Sequence, residues 1–306
     1  MTHSNNSSGP TCAVIGLGSM GLGMAESCIR AGLTTYGIDL NTERTAQFVS
    51  RGGKTDHLAK IAPEINVAVI VVMNAVQTRE LLTGSGALIE KLRPGSVVVA
   101  CATVPPEFAR EMEAACCEQG IHYLDAPISG GAQKAAMGSL SIMASGSAQA
   151  FETARPVLDA TAESVFKLGD AAGPGSAMKA VNQLLAGVHI AAMAEALTFG
   201  MTQGVAPDQF LKVISQCAGT SWMLENRAPH VVEGDYEPRS SVTIWPKDLG
   251  IVLEIAKSTG FDAPITAAAL AQYEKAVDMG LGSEDDAAVA KVYARKIGIQ
   301  LPGEAA

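Results

Sequence analysis

Three short stretches of the 306-residue chain carry residue types and spacings that could do chemistry. The first is Gly16-Leu17-Gly18-Ser19-Met20-Gly21, between the apolar run CAVI and a small-residue helical stretch. Glycines so spaced permit a tight turn, a close approach of a pyrophosphate to the backbone, and close helix–strand packing, with phosphate charge at the helix N-terminus. Asp39 stands about 18 residues beyond Gly21, at the end of the next apolar run, where a carboxylate accepts from a ribose hydroxyl. An acid there repels a 2′-phosphate, and Leu40 and Asn41 offer no Arg to hold one, so NAD is expected in preference to NADP. A purely structural glycine turn, or the glycine loop of a methyltransferase, would share part of this pattern.

The second stretch is GPGSAMKAVNQ. Asn182 and Gln183 lie three and four residues beyond Lys179, so on a helix they share its face and can hold a polar substrate beside the amine. An amine at the edge of an apolar helix is partly desolvated, which favours the neutral form a general base needs. A surface lysine at a helix start has the same signature. The third stretch is Asp125-Ala126-Pro127-Ile128-Ser129-Gly130-Gly131, where Ser129 and two glycine amides can face a carboxylate. In isolation it reads equally as an ordinary turn. Thr103 follows the run SVVVACA, at the carboxyl edge where α/β sheets bind ligands. Further on, Trp222 reads as a core residue and Lys247 with Asp248 as a helix-start pair. The five histidines show neither HExxH nor another metal spacing, and no Ser/His/Asp triad can be assembled, so no metal site is expected.

The elements needed to position these residues are legible in the apolar pattern. From Thr11 to about Gly169, short Val- and Ile-rich runs (CAVIGL, LTTYGIDL, NVAVIVVM, SVVVACA, IHYLDA, SLSIMASG, SVFKLG) alternate with helical segments such as 105–119 and 148–160. Continuous apolar runs suit strands covered on both faces, which predicts a doubly wound, largely parallel α/β domain of Rossmann type. After the cluster GDAAGPGS a helical pattern without proline runs from about Ser176 to Gly204, and then 207–217, 247–259, 263–279 and 284–297 read as helices without Val-rich strands. The expected organisation is a disordered tail over 1–10, a dinucleotide-binding domain over 11–172, and an all-helical substrate and oligomerisation domain over 173–306, joined by the long helix.

Composition narrows the function. Hydrophobic residues make up 48% and charged residues 17%, enough to bury a sizeable core. The net charge of −9 repels nucleic acid and anionic membranes, leaving a small molecule as the expected partner. The most apolar long stretch, Ala180 to Ala194, is uncharged but falls short of a bilayer span. Six cysteines without a CxxC pair read as reduced, mostly buried thiols, and the polar first ten residues lack the features of a secretory signal, so the cytoplasm is expected.

Taken in order, GLGSMG, DAPISGG, GPGSAMKAVNQ and WPKDLG strongly resemble the β-hydroxyacid dehydrogenase family, over a span from Thr11 to about Ala294. The resemblance implies that Lys179 is the catalytic lysine and that Ser129, Gly130 and Gly131 form the substrate carboxylate loop. It places Thr103 and Lys247 at the nicotinamide end of the cofactor, and Met73 and Asn74 in a loop that many relatives write as Leu-Pro. Many relatives also carry Asn four residues after the lysine, where this chain has Gln183, so either Asn182 or Gln183 orients the substrate. The function implied is NAD-dependent oxidation of a small polyhydroxy acid, and the apolar helical domain separately suggests a homodimer or homotetramer. A 3-hydroxyisobutyrate or tartronate semialdehyde enzyme, or a noncatalytic dinucleotide-binding protein, is the alternative.

Overall fold

The computed structural model describes residues 9–304; most of the expected tail, 1–8, lies outside them. In chain order the elements are β1 (Thr11–Ile15), α1 (Gly21–Arg30), β2 (Thr34–Ile38), α2 (Thr42–Ser50), α3 (Leu58–Ile61), β3 (Val67–Ile70), α4 (Ala75–Thr83), β4 (Val97–Ala100) and α5 (Pro106–Glu118). There follow β5 (His122–Asp125), β6 (Ile128–Ser129), α6 (Gly131–Met137), β7 (Leu140–Ser145), α7 (Ala148–Thr161), β8 (Ala162–Gly169) and α8 (Pro174–Thr202). The remainder is α9 (Pro207–Ile214), α10 (Trp222–Glu233), α11 (Ile244–Thr259), α12 (Pro264–Asp278) and α13 (Ala290–Lys296).

The strands form one sheet in the order β2-β1-β3-β4-β5-β7-β6, with β8 paired to β7. From β2 to β5 every pairing is parallel, while β7 runs antiparallel to β5 and β6. The sheet is therefore mixed, and the reversal falls at the short strands beyond Asp125. β3 and β4 are buried at every position, as strands covered on both faces must be. Two apolar clusters result, one built on Val14, Val69, Val99 and Leu124, the other on Ala13, Ile70, Val98 and Tyr123. Alternate residues of the same strands supply the two faces. The strand order reverses between β1 and β3, so the loops after these two strands flank the crevice where open α/β sheets bind ligands.

The chain divides into two compact units, one ending at Lys179 and the other beginning at Ala180. Among the described residues the second contains no strand. Its core gathers Ile190, Met193, Ala194 and Leu197 of α8 with Trp245, Leu249 and Tyr273, and Trp245 stacks on Tyr273 with ring centroids 5.6 Å apart. Helix α8 spans 29 residues, about 44 Å at 1.5 Å per residue. By length and composition it could cross a bilayer, contrary to the count over Ala180–Ala194 alone, but the side chains just named are buried in the helical core.

Two segments differ from expectation. Residues 222–233, outside the helices expected from the pattern, form α10 with Pro229 in its interior. The single helix expected over 284–297 is split into a 3-10 turn at Asp286–Val289 and α13. Here Asp285 accepts from the Ala287 amide and pairs with His230, and Asp286 pairs with Arg227 and the Trp245 indole, so buried carboxylates set the backbone in place of α-helical bonding.

Candidate active site

The glycine loop leaves β1 and enters α1 through contacts that tolerate no side chain at two of its glycines. A Cβ on Gly16, which has φ +97°, would stand 2.3 Å from the Val71 carbonyl oxygen; one on Gly21 would stand 1.8 Å from that of Gly16. On Gly18 it would meet nothing nearer than Arg44 Nη1 at 3.9 Å. Gly16 and Gly21 thus close the turn, while Gly18 leaves one side of the backbone open to a ligand. Helix α1 starts without a side-chain cap or an acid in its first turn, which leaves its positive end available to phosphate. Asp39, directly after β2, accepts from the Leu17 amide at 2.7 Å and the Asn41 amide at 2.8 Å. The carboxylate is thereby fixed beside the loop with acceptor capacity to spare for a ribose diol. These residues fit a dinucleotide.

The two residues after Asp39 supply no Arg, but the first turn of α2 brings Arg44 Nη1 to 3.7 Å from Asp39 Oδ2. Met73 and Asn74 sit between β3 and α4; Asn74 caps α4 by accepting from the Gln77 amide, and Met73 is exposed. Where the family resemblance implies a proline in many relatives, this chain has a side-chain cap. Thr103 lies half-buried between β4 and α5, at the carboxyl edge of the sheet.

Lys179 and the Ser129 loop, 50 residues apart in the chain, are brought together. Lys179 is 8% exposed, and its Nζ donates to the Ile128 carbonyl at 2.8 Å, next to Ser129 at the end of β6. Gly130 and Gly131 follow with φ +133° and +73°, a course that turns the chain into α6. The start of α8 is held by Asp125 at the end of β5. Its Oδ2 accepts from the amides of Gly173 at 2.9 Å and Ser176 at 2.8 Å and from Ser145 Oγ at 3.2 Å, and its Oδ1 accepts from Ser176 Oγ at 2.6 Å. Ser145 Oγ in turn accepts from the Gly175 amide at 2.9 Å. A Cβ on Gly175 would lie 2.6 Å from the carbonyl oxygens of both Asp125 and Met143, so only glycine lets the helix start this close to the strands. Burial raises the Asp125 carboxyl above its ordinary range, against the pull of these donors. The sequence assigns Asp125 no role of its own within the third stretch and does not mark Ser145; the available signal is the acid ending an apolar run just before the Ser129 loop.

In the second unit the two candidate amides are not equivalent. Gln183 is buried and donates through Nε2 to Asp248 Oδ2 at 2.5 Å, while Asn182 Nδ2 donates to Gln183 Oε1 at 2.9 Å. Asp248 Oδ1 meets Lys247 Nζ at 2.8 Å, so Lys247 and Asp248 are part of a line of polar groups ending at Asn182 rather than a plain helix-start pair. Trp222, expected in the core, is 61% exposed at the first turn of α10; the buried indole is that of Trp245. Four of the six cysteines are buried and all six are unpaired, with burial pushing the Cys101 thiol up to about 12. Among the described residues no cluster of His, Cys, Asp or Glu could hold a metal ion.

Comparison with known proteins shows the family. Residues 11–169 match the family described as NAD binding domain of 6-phosphogluconate dehydrogenase, and residues 173–293 match that described as NAD-binding of NADP-dependent 3-hydroxyisobutyrate dehydrogenase. The chain is 46% identical to L-threonate dehydrogenase of Cupriavidus necator, over 95% of this chain and 98% of that one. It is also 46% identical to L-threonate dehydrogenase of Haemophilus influenzae, over 96% and 97% of the two chains. A solved structure of 3-hydroxyisobutyrate dehydrogenase from Salmonella typhimurium superposes with a TM-score of 0.88 at 44% identity, covering 92% of this chain and 99% of that one. With a glycine loop, an acid beside it and a buried lysine against the Ser129 loop, the chain belongs to the 3-hydroxyisobutyrate dehydrogenase-like family of β-hydroxyacid dehydrogenases, oxidoreductases that act on a CH–OH group with a nicotinamide dinucleotide.

Proposed function

We propose that the chain oxidises L-threonate to 2-dehydro-L-erythronate, with NAD in preference to NADP. The observation that carries this reading is the identity of 44–46%, sustained over about 95% of the chain, to five L-threonate dehydrogenases. Ser129 and the amides of Gly130 and Gly131 bind the substrate carboxylate, and Lys179 takes the proton of the hydroxyl being oxidised. Its position at the Ile128 carbonyl supports that assignment, because the carboxylate loop and the base are then one residue apart. Asn182 or Gln183 holds a second hydroxyl. Gln183 is already engaged by Asp248, which favours Asn182 for that contact. Gly16 to Gly21, Asp39, Met73, Asn74, Thr103 and Lys247 hold the dinucleotide. When bound, that group supplies the acceptor for the hydride leaving the substrate carbon. In the reverse direction Lys179 returns the proton to the carbonyl oxygen.

The same reading assigns dinucleotide binding to residues 11–172 and substrate binding and oligomerisation to 173–306. The partner is a small polyhydroxy acid, with neither nucleic acid nor membrane as a partner. Unpaired cysteines suit a reducing cytoplasm, and exposed Met178, Val181, Leu185 and Phe199 on α8 suit a homodimer or homotetramer, which sedimentation would reveal.

The substrate is tested by kcat/KM across D- and L-threonate, D- and L-erythronate, 3-hydroxyisobutyrate, glycerate and L-serine. L-Threonate is expected to exceed 3-hydroxyisobutyrate and L-serine by at least about tenfold, since a methyl cannot replace the hydroxyl that pairs with the half-buried Asn182 amide, a difference of about 1–3 kcal/mol. Preference for 3-hydroxyisobutyrate would sink the threonate reading and leave the family unaffected.

A further inference from the structure

Arg44 is the feature of the cofactor half that the proposed function leaves unused. It lies in the first turn of α2, a helix whose start is set by Asn41 accepting from the Glu43 and Arg44 amides. Asn41 is committed to that cap, and Leu40 points fully into solvent. The guanidinium extends back over the glycine loop. Its Nη1 is 3.7 Å from Asp39 Oδ2, and 3.9 Å from where a side chain on Gly18 would begin. Asp39, in contrast, is held by two backbone amides and its side chain is 11% exposed. The pair therefore joins an acceptor fixed by two amides to a cation half of whose side chain is in solvent. At 3.7 Å the two are an ion pair without a tight hydrogen bond, so Arg44 can be drawn away by a stronger anion at small cost.

We propose that Arg44 forms a dormant phosphomonoester site masked by Asp39: the carboxylate neutralises the guanidinium and repels a 2′-phosphate, and its removal alone, with no added cation, opens the site to 2′-phosphorylated dinucleotides. The inference rests on the reading that Asp39 faces the adenosine ribose, and not on the identity of the hydroxy acid. It also revises what a change of cofactor requires. The immediate sequence neighbours of Asp39 suggest that an Arg must be introduced, whereas the fold already supplies one from the next helix. A guanidinium presents a planar fork of donors matched to a phosphate, and such a contact is stronger than one between neutral groups.

Binding of 2′,5′-ADP and of ADP, which lack the nicotinamide, is measured by calorimetry on the full chain for wild type, Asp39→Asn, Arg44→Ala and the double variant. Asp39→Asn is expected to bind 2′,5′-ADP about 10- to 100-fold more tightly than wild type, one to two powers of ten being the span of a single charge-assisted contact freed from a competing charge. That gain should vanish in the double variant and shrink with added salt. If the gain survives in Asp39→Asn with Arg44→Ala, or never arises although ADP binding weakens, the masked site is refuted while Asp39 keeps its place at the ribose. Unchanged affinity of Asp39→Asn for both ligands removes the ribose contact itself and this inference with it. Because Asp39 also anchors the Leu17 and Asn41 amides, Arg44→Ala in the wild-type background gives an independent reading. It should leave the affinities for 2′,5′-ADP and ADP within about twofold of wild type, and a several-fold loss of 2′,5′-ADP binding there would mean that the site is already open and overturns the masking.

Discussion

Lys179→Ala is expected to lower kcat for hydroxy-acid oxidation by about 10²- to 10⁴-fold, the usual span for a positioned acid or base. The reason lies in its surroundings. The side chain is buried, and its Nζ reaches the Ile128 carbonyl at 2.8 Å beside Ser129, so water has little room to take its place. NAD affinity, followed by fluorescence titration, should stay near the wild-type value because the glycine loop and Asp39 do not depend on the lysine. Lys179→Arg is expected to fail almost as badly, since a guanidinium cannot release its proton at any pH the protein survives. Either variant retaining activity within a few-fold of wild type would remove Lys179 as the base.

The largest effect on stability is expected at Asp125. Asp125→Ala leaves the amides of Gly173 and Ser176 without an acceptor in a buried site, at about 1–3 kcal/mol each, while the hydroxyls of Ser145 and Ser176 can turn elsewhere. A loss of about 2–5 kcal/mol should appear as a lower urea midpoint for the transition of the sheet-containing unit. Asp125→Asn keeps one oxygen for those amides and offers a donor to Ser176 Oγ, and should cost markedly less. The pH dependence separates charge from hydrogen bonding. With its carboxyl raised above the ordinary range by burial, Asp125 contributes most below its unfolded value, and that contribution falls as pH rises through the folded one. The stability of wild type relative to Asp125→Asn should therefore decline from acid pH upward through the carboxylate range. A relative stability that rises with pH instead would mean that the donors outweigh burial. The helix carrying Lys179 starts at this anchor, so the Ala variant should also lose kcat.

Much of this was legible in the chain itself. Runs such as VAVI and VVVA specify strands buried on both faces because an unbroken apolar stretch cannot leave one face in water. GLGSMG between a strand and a helix specifies the phosphate turn, because only glycine permits such close approach there. Family resemblance added the partners expected of these motifs, and comparison with known proteins upheld the family. Other features are pairings between distant segments, which local pattern does not encode. No periodicity relates Asp125 to Ser176, Gln183 to Asp248, or Arg44 to Asp39; each pair meets only when separate elements pack. Helix α10 lies outside the helices that the apolar pattern marks, and Trp222 is exposed because residue type alone does not say which side of a helix start faces water. Local sequence determined the elements and the residue types available for chemistry, since these follow from sterics and apolar periodicity. Tertiary packing decided which groups meet, because desolvation and hydrogen-bond geometry act between atoms that are near in space and far apart in the chain.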